Sequence, residues 1–155
     1  MREHSAAIIA FGSGHSHFED RSHFESIQEA VADCTVVLLL PDVDQILSLT
    51  TLRARCLDTK GHDWNRDDHD YLAEWATSEQ NQLLADVVVY SDDLTPERYA
   101  EKIESALRDF DRSAEASTAR SHGEVLSLRT RMVLCDNTSV RTADRLVRHV
   151  LELGA

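Results

Sequence analysis

Three short apolar runs organise the chain. The central one, Val36-Val37-Leu38-Leu39-Leu40, shows no alternation of apolar and polar residues. A strand with one solvated face would alternate with a period of two, so this run reads as a strand covered on both faces, the usual state of a central parallel strand. Pro41 ends it, because proline has no N–H to give to a ladder. Ala7-Ile8-Ile9-Ala10-Phe11 precedes it and Asp86-Val87-Val88-Val89-Tyr90 follows it. Helical patterns separate the runs. The result is a βαβαβ core whose loops at the strand C-terminal ends carry function.

The helical patterns have recognisable ends. Phe24, Ile27, Ala30 and Val31 form one apolar stripe, with Asp20 or Ser22 as its cap. Ile46, Leu49 and Leu52 predict the inward face of a second helix, capped by Asp42 and running to about Cys56. Arg53 and Arg55 then fall near its C-terminus, where positive charge suits the helix dipole. Residues 57–70 offer almost nothing to bury except Trp64 and read as a mobile loop or lid. Tyr71, Leu72, Trp75 and Ala76 predict a short helix, and 81–84 leads into the third strand. Thr95-Pro96-Glu97 is a strong helix start, with a hydroxyl cap, proline at the first position and an acid in the first turn. Tyr99, Ile103, Ala106, Leu107 and Phe110 mark that helix's inward side.

Residues 112–124, rich in Ser, Ala, Thr and Glu, are the one clear shift in composition and read as a linker, helical in part. Arg131-Met132-Val133-Leu134-Cys135 then predicts a fourth strand, and Ala143, Leu146, Val147, Val150 and Leu151 line a last helix. The expected fold is α/β in one domain over 1–155: a core over 6–110, a linker over 111–130, and a C-terminal strand and helix over 131–155.

At 155 residues the chain is long enough for a real core. No apolar run approaches the length of a membrane span, and the N-terminus lacks the apolar stretch of a signal peptide, so the expected location is the cytoplasm. The three cysteines, widely spaced and odd in number, read as reduced thiols. A net charge of −12 argues against nucleic acid and anionic membrane as partners. Of the 16 basic residues only Lys60 and Lys102 are lysine, a skew that points to a GC-rich bacterial genome.

Candidate chemistry gathers after the first strand, in Gly12-Ser13-Gly14-His15-Ser16-His17. Two glycines in three positions let a backbone turn sharply and approach a ligand closely. His15, His17, Glu19, Asp20 and His23 are possible metal ligands, but they match no recognised metalloenzyme spacing, and no metal is expected. His15 and His17 remain open between a substrate or partner contact and a solvated loop. Asp42 with Asp44, and Asp92 with Asp93, are explained by capping and turn formation before general-base chemistry. The Gly-x-Ser-x-Gly turn of hydrolases is absent around Ser13.

Taken in order, residues 6–107 resemble the latter two-thirds of a P-loop small-molecule kinase of the shikimate kinase-like group. The matching pieces are Ile8-Ile9-Ala10-Phe11-Gly12-Ser13-Gly14-His15-Ser16; Val36 to Pro41 with Leu52-Arg53-Ala54-Arg55; and Asn81 to Tyr90 with Leu94-Thr95-Pro96-Glu97. The resemblance implies a three-layer αβα sandwich on a mostly parallel sheet of about four strands. It implies that Gly12, Ser13 and Gly14 face a phosphoryl acceptor, and that Arg53, Arg55 and Arg66 hold phosphates. The departure is large. Such kinases begin with a strand, a Gly-x-x-x-x-Gly-Lys-Ser/Thr loop and a helix, and no such loop occurs in this chain. That loop supplies the backbone N–H groups and the lysine that cradle the β- and γ-phosphates.

The tail has the same layout without the chemistry. A strand is followed by Asp136-Asn137-Thr138-Ser139-Val140-Arg141-Thr142 and an amphipathic helix, with neither the glycines nor the lysine. In the resembling family the P-loop strand lies between the strands that match 7–11 and 36–40. A circular permutation would therefore insert 132–135 between those two. About 20 linker residues at ~3.3 Å each can span the sheet. The alternative is an edge strand with a docking helix. Asp136, Asn137, Thr138, Ser139, Arg141 and Thr142 are the residues of this degenerate phosphate loop. Two functions follow as expectations. One is a catalytically degenerate partner or stabilising subunit of a heteromeric enzyme in bacterial specialised metabolism, binding a second protein and neither ATP nor Mg tightly. The other is a small-molecule phosphotransferase whose phosphate loop is rebuilt or supplied by a partner.

Overall fold

A computed structural model of the chain describes residues 8–12, 18–91, 94–118 and 130–135. Six strands and five helices are described: β1 (Ile8–Gly12), α1 (Arg21–Val31), β2 (Cys34–Leu40), α2 (Gln45–Lys60), β3 (Asn65–Arg66), β4 (His69–Asp70), α3 (Tyr71–Ala76), α4 (Glu79–Leu84), β5 (Val87–Tyr90), α5 (Pro96–Thr118) and β6 (Thr130–Cys135). Four strands form one parallel sheet in the order β1-β6-β2-β5. The fold is therefore α/β on a small parallel sheet.

The last strand lies inside the sheet. β6 pairs with β1 from Ile8↔Arg131 to Gly12↔Cys135, and with β2 from Cys34↔Thr130 to Leu39↔Cys135. The tail strand is thus interior and not at the sheet edge. β2 is buried along both faces, as its unbroken apolar run predicts. Val37 is fully buried, and Val37 and Leu39 pack with Val89 against Tyr99, Ala100, Ile103 and Leu107 of α5. Val36 and Leu38, on the opposite face, pack with Phe24 and Val31 of α1 and Leu84 of α4. The connections β1→β2 and β2→β5 run one way along the sheet and place α1 and α4 on one face. The connection β5→β6 runs back and places α5 on the other, as a single crossover hand requires.

Side chains pin the ends of β5. The Asp86 carboxylate accepts from Val36 N–H at 2.8 Å, while Asp86 N–H donates to the Val36 carbonyl at 2.9 Å. At the other end, Tyr99 Oη donates to the Val89 carbonyl at 3.1 Å and Lys102 Nζ to the Tyr90 carbonyl at 2.7 Å.

Several local expectations are corrected. β2 starts at Cys34, two residues early. Asp20 is the cap of α1, accepting from Ser22 N–H, but Ala30 is exposed beyond its buried stripe. The cap of α2 is Asp44, whose Oδ1 accepts from Ile46 N–H at 2.8 Å and Leu47 N–H at 3.1 Å. Asp42 supports it one step back by accepting from Asp44 N–H at 2.8 Å. The buried line of α2 is Ser48, Leu52 and Cys56, so Ile46, about 120° round the helix from Leu52, is 76 % exposed. α2 also runs one turn further than expected, ending at Gly61 in the left-handed region (φ 74°). Residues 79–84, read only as a lead into β5, form the short helix α4. Residues 111–118, placed in the linker, continue α5.

Candidate functional site at the C-terminal edge of the sheet

The parallel register aligns the ends of all four strands. Gly12 lies beside Cys135, Cys135 beside Leu39, and Leu40 beside Tyr90. The segments that follow Gly12, Cys135, Leu40 and Tyr90 therefore start from one edge, where open α/β sheets bind ligands. Gly12 is the last residue of β1. Ser13, Gly14, His15 and His17, and the whole degenerate loop from Asp136 to Thr142, lie outside the described residues. So do the proposed last helix and the Asp92–Asp93 pair.

The wall of this edge is built by β2, β5 and α2. Ser91, directly after β5, is buried. Its N–H donates to the Leu40 carbonyl at 2.9 Å and its hydroxyl to the Pro41 carbonyl at 3.4 Å. Arg55, half-buried on α2, reaches the same hydroxyl at 3.4 Å. No carboxylate pairs with Arg55 among the described residues. Arg55 is therefore a cation held at the sheet edge outside any ion pair among the described residues.

Arg53 and Arg66 sit in a second cluster. The guanidinium of Arg53 meets Asp63 at 3.6 Å and pairs with Asp70, whose other oxygen accepts from Ala73 N–H at 3.0 Å and so caps α3. Two carboxylates on one guanidinium leave little positive charge for a phosphate. This corrects the position of Arg53 as well: the longer α2 puts it in mid-helix, away from the C-terminal dipole. Arg66 is exposed, 5.6 Å over the ring of Trp64. The structure thus separates Arg55, at the strand ends, from Arg53 and Arg66 at the 62–70 segment.

The 57–70 segment holds more structure than its composition implies. Asn65–Arg66 and His69–Asp70 pair antiparallel around Asp67-Asp68, both with positive φ (51° and 59°), the geometry of a primed two-residue hairpin turn. Trp64 also has positive φ, 61°. Its indole packs edge-on to Trp75 at 5.5 Å and to His62 at 4.8 Å, against the buried group Leu52, Cys56 and Leu72. Lys60 lies 5.2 Å from its ring centre. The indole N–H is buried with no hydrogen-bond partner among the described residues. A left-handed bulky residue costs about 1–2 kcal/mol, and an orphaned buried donor about 1–3 kcal/mol more.

Sequence inspection missed Ser91, Asp63 and Asp70. Asp70 was findable, since it precedes a helical pattern with an acid in the first turn. The pairing of Arg53 with residues 10 and 17 positions away has no local signal. Burial, with help from Asp33 and Asp86, pushes the Cys34 thiol up, against thiolate formation. Among the described residues no group of three His, Cys, Asp or Glu is placed to hold a metal ion, and no helix is long and apolar enough to cross a membrane.

No family model, curated protein or solved structure matches the chain. A small apolar cavity of about 10 Å³, room for a single water, lies under α2 and α3, lined by Leu38, Leu40, Leu52, Leu72 and Trp75 with the buried polar residues Ser78 and Asn81.

Proposed function

We propose that this chain is a kinase-like α/β subunit that has lost phosphoryl transfer and acts by binding and stabilising a second protein. On this reading, α1 and α4 on one face of the sheet and α5 on the other are the outer layers of a three-layer αβα sandwich, circularly permuted. The observation that carries it is the strand order. With β6 between β1 and β2, the Asp136–Thr142 loop follows from the middle of the C-terminal edge, where a phosphate cradle is needed, and its sequence offers no glycine and no lysine. Loss of that electrostatic stabilisation removes the main source of catalysis in phosphoryl transfer. The pairing of Arg53 with two carboxylates and the charge of −12 weigh the same way.

The test is a pair of measurements. Mg-ATP at millimolar concentration is expected to leave the melting temperature unchanged, because only a ligand that binds the native state raises it. Copurification from the native host is expected to bring down a second protein in stoichiometric amount. A nucleotide-dependent rise in melting temperature would overturn the loss of chemistry. One observation favours the second reading, a small-molecule phosphotransferase completed by a rebuilt or partner-supplied loop: Arg55, half-buried beside Ser91, offers an anion a cation at the strand ends. That reading predicts the nucleotide-dependent rise and its loss in Arg55→Met.

A further inference from the structure

We propose that residues 62–70 form a latch with Trp64 as its bolt, alternating between the closed state and an open state in which the indole leaves its seat. Two features of one residue point to this. Trp64 holds a left-handed backbone, and its indole N–H is buried without a partner among the described residues. Both costs are relieved together when the segment lifts, the backbone at Trp64 returns to negative φ and the indole enters water. The closed state is held by packing on Trp75 and the Leu52–Cys56–Leu72 group, by Lys60 and Arg66 over the ring, and by Arg53. Arg53 bridges both ends of the segment, Asp63 before β3 and Asp70 at the end of β4. Withdrawal of the indole bares Leu52, Leu72 and Trp75. These three also line the cavity that reaches Leu38 and Leu40 of β2. The latch thus couples an ion-pair clasp on α2 to access to an apolar seat under the sheet edge. It holds whichever reading of function is right, since it uses no phosphate loop and no partner.

The test uses the full chain labelled with 5-fluorotryptophan, which reports on two sites, Trp64 and Trp75. The signals are assigned with Trp64→Phe. Fluorine relaxation dispersion is expected to show microsecond-to-millisecond exchange at Trp64, with an open population of roughly a few per cent. Arg53→Met should raise that population about threefold or more, while Arg55→Met, on the same helix but outside the clasp, leaves it unchanged. The clasp is partly exposed, so raising KCl on the unmutated chain should also increase the open state. The salt series decides the matter if Arg53→Met does not fold. A Trp64 signal without exchange in the unmutated chain at every salt concentration overturns the latch. So does exchange at both tryptophans with the rate and population of global unfolding.

Discussion

Proline substitution at two consecutive positions of β6 distinguishes an interior strand from an edge strand. In an edge strand, alternate N–H groups point away from the only neighbour, so one of any two adjacent prolines is tolerated. β6 has a neighbour on each side, with Met132 beside Ile9 and Val36, and Val133 beside Ala10 and Val37. Proline at either position therefore deletes a ladder hydrogen bond and leaves a carbonyl of β1 or β2 unpaired in the sheet. The unpaired acceptor alone costs about 1–3 kcal/mol, and the ring adds a steric term, for a loss of about 3 kcal/mol per variant. In a chain of this size that lowers the melting temperature by roughly 6–12 °C. It also removes a large part of a typical stability of about 5–15 kcal/mol. Thermal and urea unfolding of Met132→Pro and Val133→Pro, followed by circular dichroism, reads the effect. If one variant stays within about 0.5 kcal/mol of the parent while the other is crippled, β6 has only one neighbour and the strand order is wrong.

Three further outcomes follow from local structure. Asp44→Ala, which strips the cap from two N–H groups of α2, should cost about 1–2 kcal/mol, and Asp42→Ala about half that; urea midpoints showing the reverse ranking would return the cap to Asp42. Asp68→Gly, at positive φ in the primed turn, should stabilise the hairpin by about 1 kcal/mol, read as slower amide exchange at 65–70; faster exchange would contradict the turn. Hydrogen bonds from Ser22, first from its backbone N–H, hold the Asp20 carboxyl below its ordinary value. Its stabilising effect is therefore present above the unfolded carboxylate value and is lost as pH falls through the folded one. Asp20→Asn should flatten that part of the acid limb in a pH series of melting temperatures, and an unchanged acid limb would remove the cap's role.

The sequence by itself determined the elements whose burial is written locally. The unbroken run 36–40, short and stopped by Pro41, reads as a strand covered on both sides, and β2 is one. Thr95-Pro96-Glu97 started α5 where those residues must, with Thr95 Oγ1 accepting from Arg98 N–H at 3.4 Å. The apolar line Tyr99, Ile103 and Leu107 became its packed face. Tertiary structure decided what depends on pairs distant along the chain. α2 carries apolar residues on two sides, and periodicity cannot say which side is buried; packing against Leu72 chose Leu52 and Cys56 and left Ile46 and Leu47 to solvent. The polar composition of 57–70 hid a hairpin, because Asp67 and Asp68 tolerate left-handed backbone without announcing it. The partners of Arg53 were likewise invisible, since an ion pair across 17 residues leaves no spacing to read. The place of β6 needed both sources. Its four-residue apolar stretch made it a strand, but only register with β1 and β2 fixed it in the interior, because pairing energy depends on neighbours the chain brings from more than 90 residues away.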